Sequence, residues 1–220
     1  MKQDELFVIT INRELGSGGR TVGEKLAKRL EVPFYDKALI QQLKKKYGLT
    51  TEEIERLKGQ KHNWWSEFKR SMMMMPNYVA PKAIPDYASM PDFLITDDIF
   101  KEETEILKGI AADGSCVIAG RSGFHIFRDH PNHLSILIQA SMKRRIERVM
   151  LKQNINAEKA EAIIKEVDES RENYVNKYTN SSRYDTRNYD LVINADNHSE
   201  DEIVDMIMLY LGLPLSKIIF

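Results

Sequence analysis

The 220-residue chain has one cysteine, no long apolar run and no excess charge of either sign, and each shortage closes off a class of protein. Cys116 alone makes neither an intrachain disulfide nor a cysteine-based zinc site, which suits a reducing cytoplasm. Inside the apolar run SCVIAG it reads as a buried, inert thiol. No stretch approaches the ~20 apolar residues of a membrane helix, and the Met72 to Met75 run meets Pro76 at once. The N-terminal segment places acids before a short apolar run with no small-residue cleavage site after it, so it does not read as a signal peptide. Lys and Arg number 32 against 33 Asp and Glu, a net charge of -1, which leaves no overall positive field to hold nucleic acid. The five histidines, at 62, 125, 130, 133 and 198, show no metal spacing. The expectation is a soluble cytoplasmic protein, monomer or homodimer, without membrane or nucleic-acid partners.

What is present is alternation of strand and helix. Leu6 to Ile11 is a β-rich run with little polar alternation, as in a strand buried on both faces. A glycine cluster follows, and then Val22, Leu26 and Leu30 recur at helical spacing opposite Glu24, Lys25, Lys28 and Arg29. The same reasoning predicts a brief extended segment at residues 32–36, a helix over about 37–46, and another near 51–58. It also predicts a helix from about Phe100 to Ala112, strands at 116–119, 134–138 and 191–194, helices at 142–153 and 157–178, and a closing helix at 201–211. The fold class expected is an α/β, doubly wound parallel sheet with helices on both faces, in one domain. Its core covers residues 1–48, 99–140 and 188–220. Residues 49–98, with Trp64-Trp65, four methionines and four prolines, form an irregular inserted lobe, and residues 141–187 a helical lid.

The segment from Asn12 to Thr21, NRELGSGGRT, joins the first strand to the first helix. A loop there offers glycines of free φ, converging amides and the positive end of a helix dipole, the parts of a phosphate cradle. Gly16, Ser17, Gly18 and Gly19 supply the backbone, Arg20 a cation, and Thr21 a hydroxyl suited to Mg²⁺. The full signature G-x-x-x-x-G-K-[ST] is absent, because Glu14 stands at its first glycine when Gly19-Arg20-Thr21 is read as its end, and the lysine is missing under any alignment.

Four segments resemble the cytidylate kinase-like family of P-loop nucleoside monophosphate kinases. Gly16 to Thr21 is similar to the family's G-x-G-K-G-T, with Gly19 in place of lysine. Phe34-Tyr35-Asp36 looks like its Tyr-x-Asp stretch, and Val117 to Arg121 like its strand ending in Gly-Arg. Ile138 to Arg148 resembles the strand and lid helix carrying R-x-x-R. Asp168, Arg171 and Tyr174 resemble lid positions, and Asn188 to Asn194 the last strand; residues 49–98 match nothing. The resemblance implies ATP-dependent phosphoryl transfer to a small acceptor, most readily a nucleoside monophosphate such as CMP, with ATP and Mg²⁺ as cofactors.

Phosphoryl transfer needs several cations around the moving group and little covalent chemistry. Arg20, Arg121, Arg145 and Arg171 are the catalytic candidates, with Arg148 beside the nucleotide. Asp36, Arg121, Asp168 and Arg171 are the candidates for the acceptor side, and Thr21 for the metal. Each has an alternative: a surface ion pair for Arg121, solvated helix charge for Arg145 and Arg148, a helix cap for Asp36, and lobe packing for Trp64-Trp65 and Met72 to Met75. The acceptor also stays open between a nucleotide and another small molecule, and the missing lysine leaves room for a nucleotide-binding module without catalysis.

Overall fold

A strand paired on both edges and roofed on both faces must be apolar throughout, and β1 (Val8–Arg13) is one. The computed structural model describes residues 4–37, 39–40 and 97–213. In it β1 lies between β3 (Cys116–Ala119) and β4 (His133–Gln139), and β2 (Phe34–Tyr35) and β5 (Leu191–Asn194) complete a parallel sheet of order β2-β3-β1-β4-β5. One face buries Ile9, Ile11, Ile136 and Ile138 beneath α1 (Gly19–Arg29) and α6 (Glu200–Tyr210), which contribute Val22, Leu26, Ile203 and Ile207. The other face buries Val8, Cys116 and Ile118 against Ile106, Leu107 and Ile110 of α2 (Asp97–Asp113), with Phe127 just past α3 (Gly123–Ile126). Cys116 is the buried thiol expected, and burial pushes its pKa up to about 12.

The expected strands and helices occur, with shifts at their ends. One shift matters: β1 starts at Val8 and runs through Arg13, two residues past the expected end, because Asn12 and Arg13 continue the pairing to Leu137 and Ile138 of β4. The loop therefore begins at Glu14 rather than Asn12. The helix expected at 51–58, most of that at 37–46, the inserted lobe, Trp64-Trp65 and Met72 to Met75 lie outside the described residues.

Two further helices, α4 (Met142–Gln153) and α5 (Ala157–Thr179), follow the carboxyl end of β4. Their break has local causes. Asn154 takes a left-handed φ of 52° that ends α4, and the Asn156 side chain accepts the Lys159 amide at 3.0 Å to start α5. The pair packs through Val149, Ala160 and Ile164 onto Leu15 of the loop. The far end of α5 places Tyr174 and Val175 on Phe124, while Phe100 of α2 stacks on Tyr178 at 4.3 Å.

At the opposite end of the sheet, His133 opens β4 and its Nε2 lies 2.7 Å from the Thr10 hydroxyl. Burial lowers the His133 pKa to about 4, against the opposing pull of Asp190. The folded state therefore binds this proton less readily than the unfolded state, whose histidine titrates near ~6.5. The stability tied to neutral His133 is complete above that pH and is lost as pH falls towards 4. Thermal midpoints measured from pH 7.5 to pH 4 should fall more steeply for the wild type than for His133→Gln.

Candidate active site at the glycine loop

The loop between β1 and α1 turns on two left-handed residues, Gly16 at φ 86° and Gly18 at φ 89°. Gly18 is also the N-cap of α1 and has no side chain to cap it; the Gly19 amide donates to the Ser17 hydroxyl at a long 3.4 Å. In α4, α5 and α6 the side chains of Ser141, Asn156 and Ser199 accept a first-turn amide. Within the loop, the Ser17 amide and hydroxyl both donate to the Glu14 carbonyl, at 3.2 and 3.0 Å. Among the described residues, the amides of Gly16 and Gly18 meet no acceptor. An 11-residue helix thus begins at a glycine turn with unspent amides at its positive end, a geometry that suits an anion.

Buried charge holds this loop in shape. Asp168 of α5, 7% exposed, accepts the Leu15 amide at 3.1 Å and pairs with Arg145 of α4. Arg171 and Arg183 approach the same carboxylate at 3.6 and 3.4 Å. Arg145 also donates to the Leu15 carbonyl at 2.8 Å and faces Glu14 at 3.3 Å, and Glu14 accepts the Ala140 amide at 3.0 Å. Arg183, 1% exposed, donates to the Arg13 carbonyl and to Asn12 Oδ1. Burial and the charge of Arg171 draw its pKa down while Asp168 holds it up. Tyr189 accepts from Asn12 and donates to the Arg183 carbonyl at 2.7 Å; burial raises its pKa to about 12, so the hydroxyl keeps its proton.

The expected site residues divide by position. Arg148 of α4 lies over the loop: a β-carbon built on Gly18 would sit 3.5 Å from its Cζ, and its Nη2 is 3.5 Å from the Thr21 hydroxyl. It pairs with Glu200 of α6 at 2.5 Å. Arg171 donates to the Arg13 carbonyl at 3.4 Å. Arg20 turns away from the loop to Asp36 and Glu24, both at 2.8 Å. Asp36 caps the next turn, accepting the Leu39 amide at 2.9 Å, so its capping role is realised together with the Arg20 pair. Arg145 is a brace with its donors spent on Leu15, Glu14 and Asp168, not a solvated helix charge. Arg121 follows β3 at the carboxyl edge with a left-handed φ of 56°; its side chain pairs with buried Glu103 of α2 and lies 4.8 Å from the Tyr174 ring.

The match to the cytidylate kinase-like family model runs over residues 8–197, from β1 past β5, and takes in both the glycine loop and the α4–α5 pair. The chain belongs to this family. Members are phosphotransferases of the P-loop kind, and ATP-dependent phosphoryl transfer is the chemistry that comes with membership. A cytidylate kinase of Sulfurisphaera tokodaii is 25% identical over 212 residues, covering 96% of this chain and 98% of its own. A solved protein of Eubacterium ventriosum shares the fold at a TM-score of 0.68 and 24% identity, over 94% of this chain and 98% of its own. A shikimate kinase of Bacteroides thetaiotaomicron shares it at 0.51 and 14%, over 95% and 100%.

Arg183 lies within residues 141–187, the range expected as a lid, and Glu14, Glu103, Glu200 and Arg13 were not among the expected site residues. Polar residues beside a glycine loop carry a signal, but which acid meets which base is a tertiary fact. Asp168→Asn removes the charge that Arg145, Arg171 and Arg183 share. It should lower the unfolding free energy by about 3 kcal/mol, and added to Arg183→Met it should cost less than the two changes summed. Urea denaturation of the two single variants and the double variant checks this.

Proposed function

We propose that the chain transfers the γ-phosphoryl group of ATP to a nucleoside monophosphate, with CMP as the preferred acceptor. The observation that carries the reading is the glycine start of α1, where the Gly16 and Gly18 amides meet no acceptor among the described residues, in a chain of the cytidylate kinase-like family. Polyphosphate oxygens would take the amides of the 16–21 loop, where the helix dipole favours anions. Arg148 and Arg171 stand beside that loop and supply mobile and fixed positive charge respectively. Arg145, Arg183 and Asp168 keep the loop open by occupying the groups that would otherwise collapse it.

The residues suit a magnesium nucleotide better than a free-standing metal. No group of three His, Cys, Asp or Glu side chains forms a metal cluster among the described residues, and the Thr21 hydroxyl is shared with Arg148. Thr21 would be the protein ligand to an ion held chiefly by phosphate oxygens. When bound, that ion neutralises charge between the β- and γ-phosphates. An acceptor monophosphate oxygen is already anionic, so no side chain must remove a proton. Arg121 sets a condition on the acceptor side: its guanidinium is committed to Glu103, and an acceptor phosphate must compete with that carboxylate.

ADP release with ATP and Mg²⁺, measured against CMP, UMP, AMP, GMP, shikimate and gluconate, tests the reading. CMP should give the highest kcat/KM, and Arg148→Met should reduce it at least tenfold. Turnover led by a non-nucleotide acceptor, or ATP binding without ADP formed for any acceptor, would contradict it.

A further inference from the structure

The loop lysine of a P-loop reaches the β- and γ-phosphates, and this chain has Gly19 in that place. Gly19 is there for space. A β-carbon on it would lie 2.5 Å from the Arg13 β-carbon and 3.2 Å from its Cγ, so the stem of Arg13 fills the path that any side chain leaving residue 19 would take. An arginine at 13 and a lysine at 19 exclude one another. The far end of the same side chain crosses a second glycine: a β-carbon on Gly120, at the carboxyl end of β3, would collide with Arg13 Nη1.

The pleat of β1 explains the direction. Ile9 and Ile11 pack on the α1 face of the sheet, and Arg13, two residues further along, shares that face at the last position before the loop. Its guanidinium therefore lies beyond the apolar core, between the start of α1 and the end of β3. In an open α/β sheet that crevice is where ligands bind. Arg13 is 7% exposed, so its cation is largely desolvated, and the Arg171 and Arg183 side chains hold its carbonyl and with it the end of β1.

We propose that Arg13 is the cation on the transferring phosphoryl group, delivered from the end of β1 in place of a loop lysine, with Gly19 and Gly120 making room for it. The inference rests on the kinase reading above. In the step it serves, the bond from the γ-phosphorus to the ADP oxygen breaks and leaves its electron pair on ADP. The bond to the acceptor oxygen forms, and Arg13 keeps its proton throughout.

The test compares wild type, Arg13→Met, R13G and R13G/G19K, with the melting temperature and ADP affinity of each. Arg13→Met keeps the apolar stem; its kcat should fall roughly 10²- to 10³-fold while ADP affinity changes less than tenfold. R13G/G19K should recover at least tenfold over R13G, because only glycine at 13 removes the β-carbon that lies 2.5 Å from the lysine's path. An R13M kcat within threefold of wild type overturns the inference while the active wild type upholds the kinase reading, and an inert wild type overturns both. Should the variants fail to fold, wild-type NMR decides: the Arg13 Nε–H resonance should shift on adding Mg²⁺, ADP and aluminium fluoride, and an unmoved resonance overturns the proposal.

Discussion

The carboxylate of Asp168 is the point on which the site turns. It is buried, it accepts the amide of Leu15 just ahead of the first loop glycine, and three guanidiniums from α4, α5 and the segment beyond α5 share it. Removing such a charge from water costs several kcal/mol unless cations and donors surround it, and here they do. The consequence is mechanical. The loop cannot relax without unpairing buried charge, so Gly16 and Gly18 stay in left-handed conformations and their amides stay available. The stability of the fold and the shape of the loop depend on the same network.

This arrangement also explains why the arginines on one helix do unlike jobs. Arg145 and Arg148 lie three apart on α4, which puts both on one side of it. Arg145 is 5% exposed and spends its donors on Leu15, Glu14 and Asp168. Arg148 reaches past the loop to Thr21 and Glu200 and keeps contact with solvent. One braces the loop and the other lies over it. Arg20, the cation nearest the glycines in the chain, is paired instead with Glu24 one turn on and with the cap Asp36.

The sheet was legible in the sequence because its signal is local. Cys116 to Ala119 and Leu191 to Asn194 are apolar runs between turn residues, and the observed strands have those bounds. The helices α4 and α5 were legible for the same reason, with Asn154 and Asn156 marking their break. The glycine loop was visible from its place after the first strand. What stayed hidden depends on partners far apart in the chain. Arg13 reads as a loop residue until β4 is seen to pair with it, and Glu103 reads as a solvated helix acid until Arg121 is found beside it. Arg183 sits among polar and aromatic residues that resemble surface, yet it is 1% exposed.

On the kinase proposal, the Gly16 and Gly18 amides take polyphosphate oxygens at the mouth of α1. A crystal structure with a non-hydrolysable ATP analogue and Mg²⁺ tests it most directly. The β-phosphate should sit within hydrogen-bond distance of the Gly16 and Gly18 amides, with the loop unmoved. A nucleotide bound elsewhere, or a loop that keeps those amides clear of phosphate at saturating analogue, would contradict it.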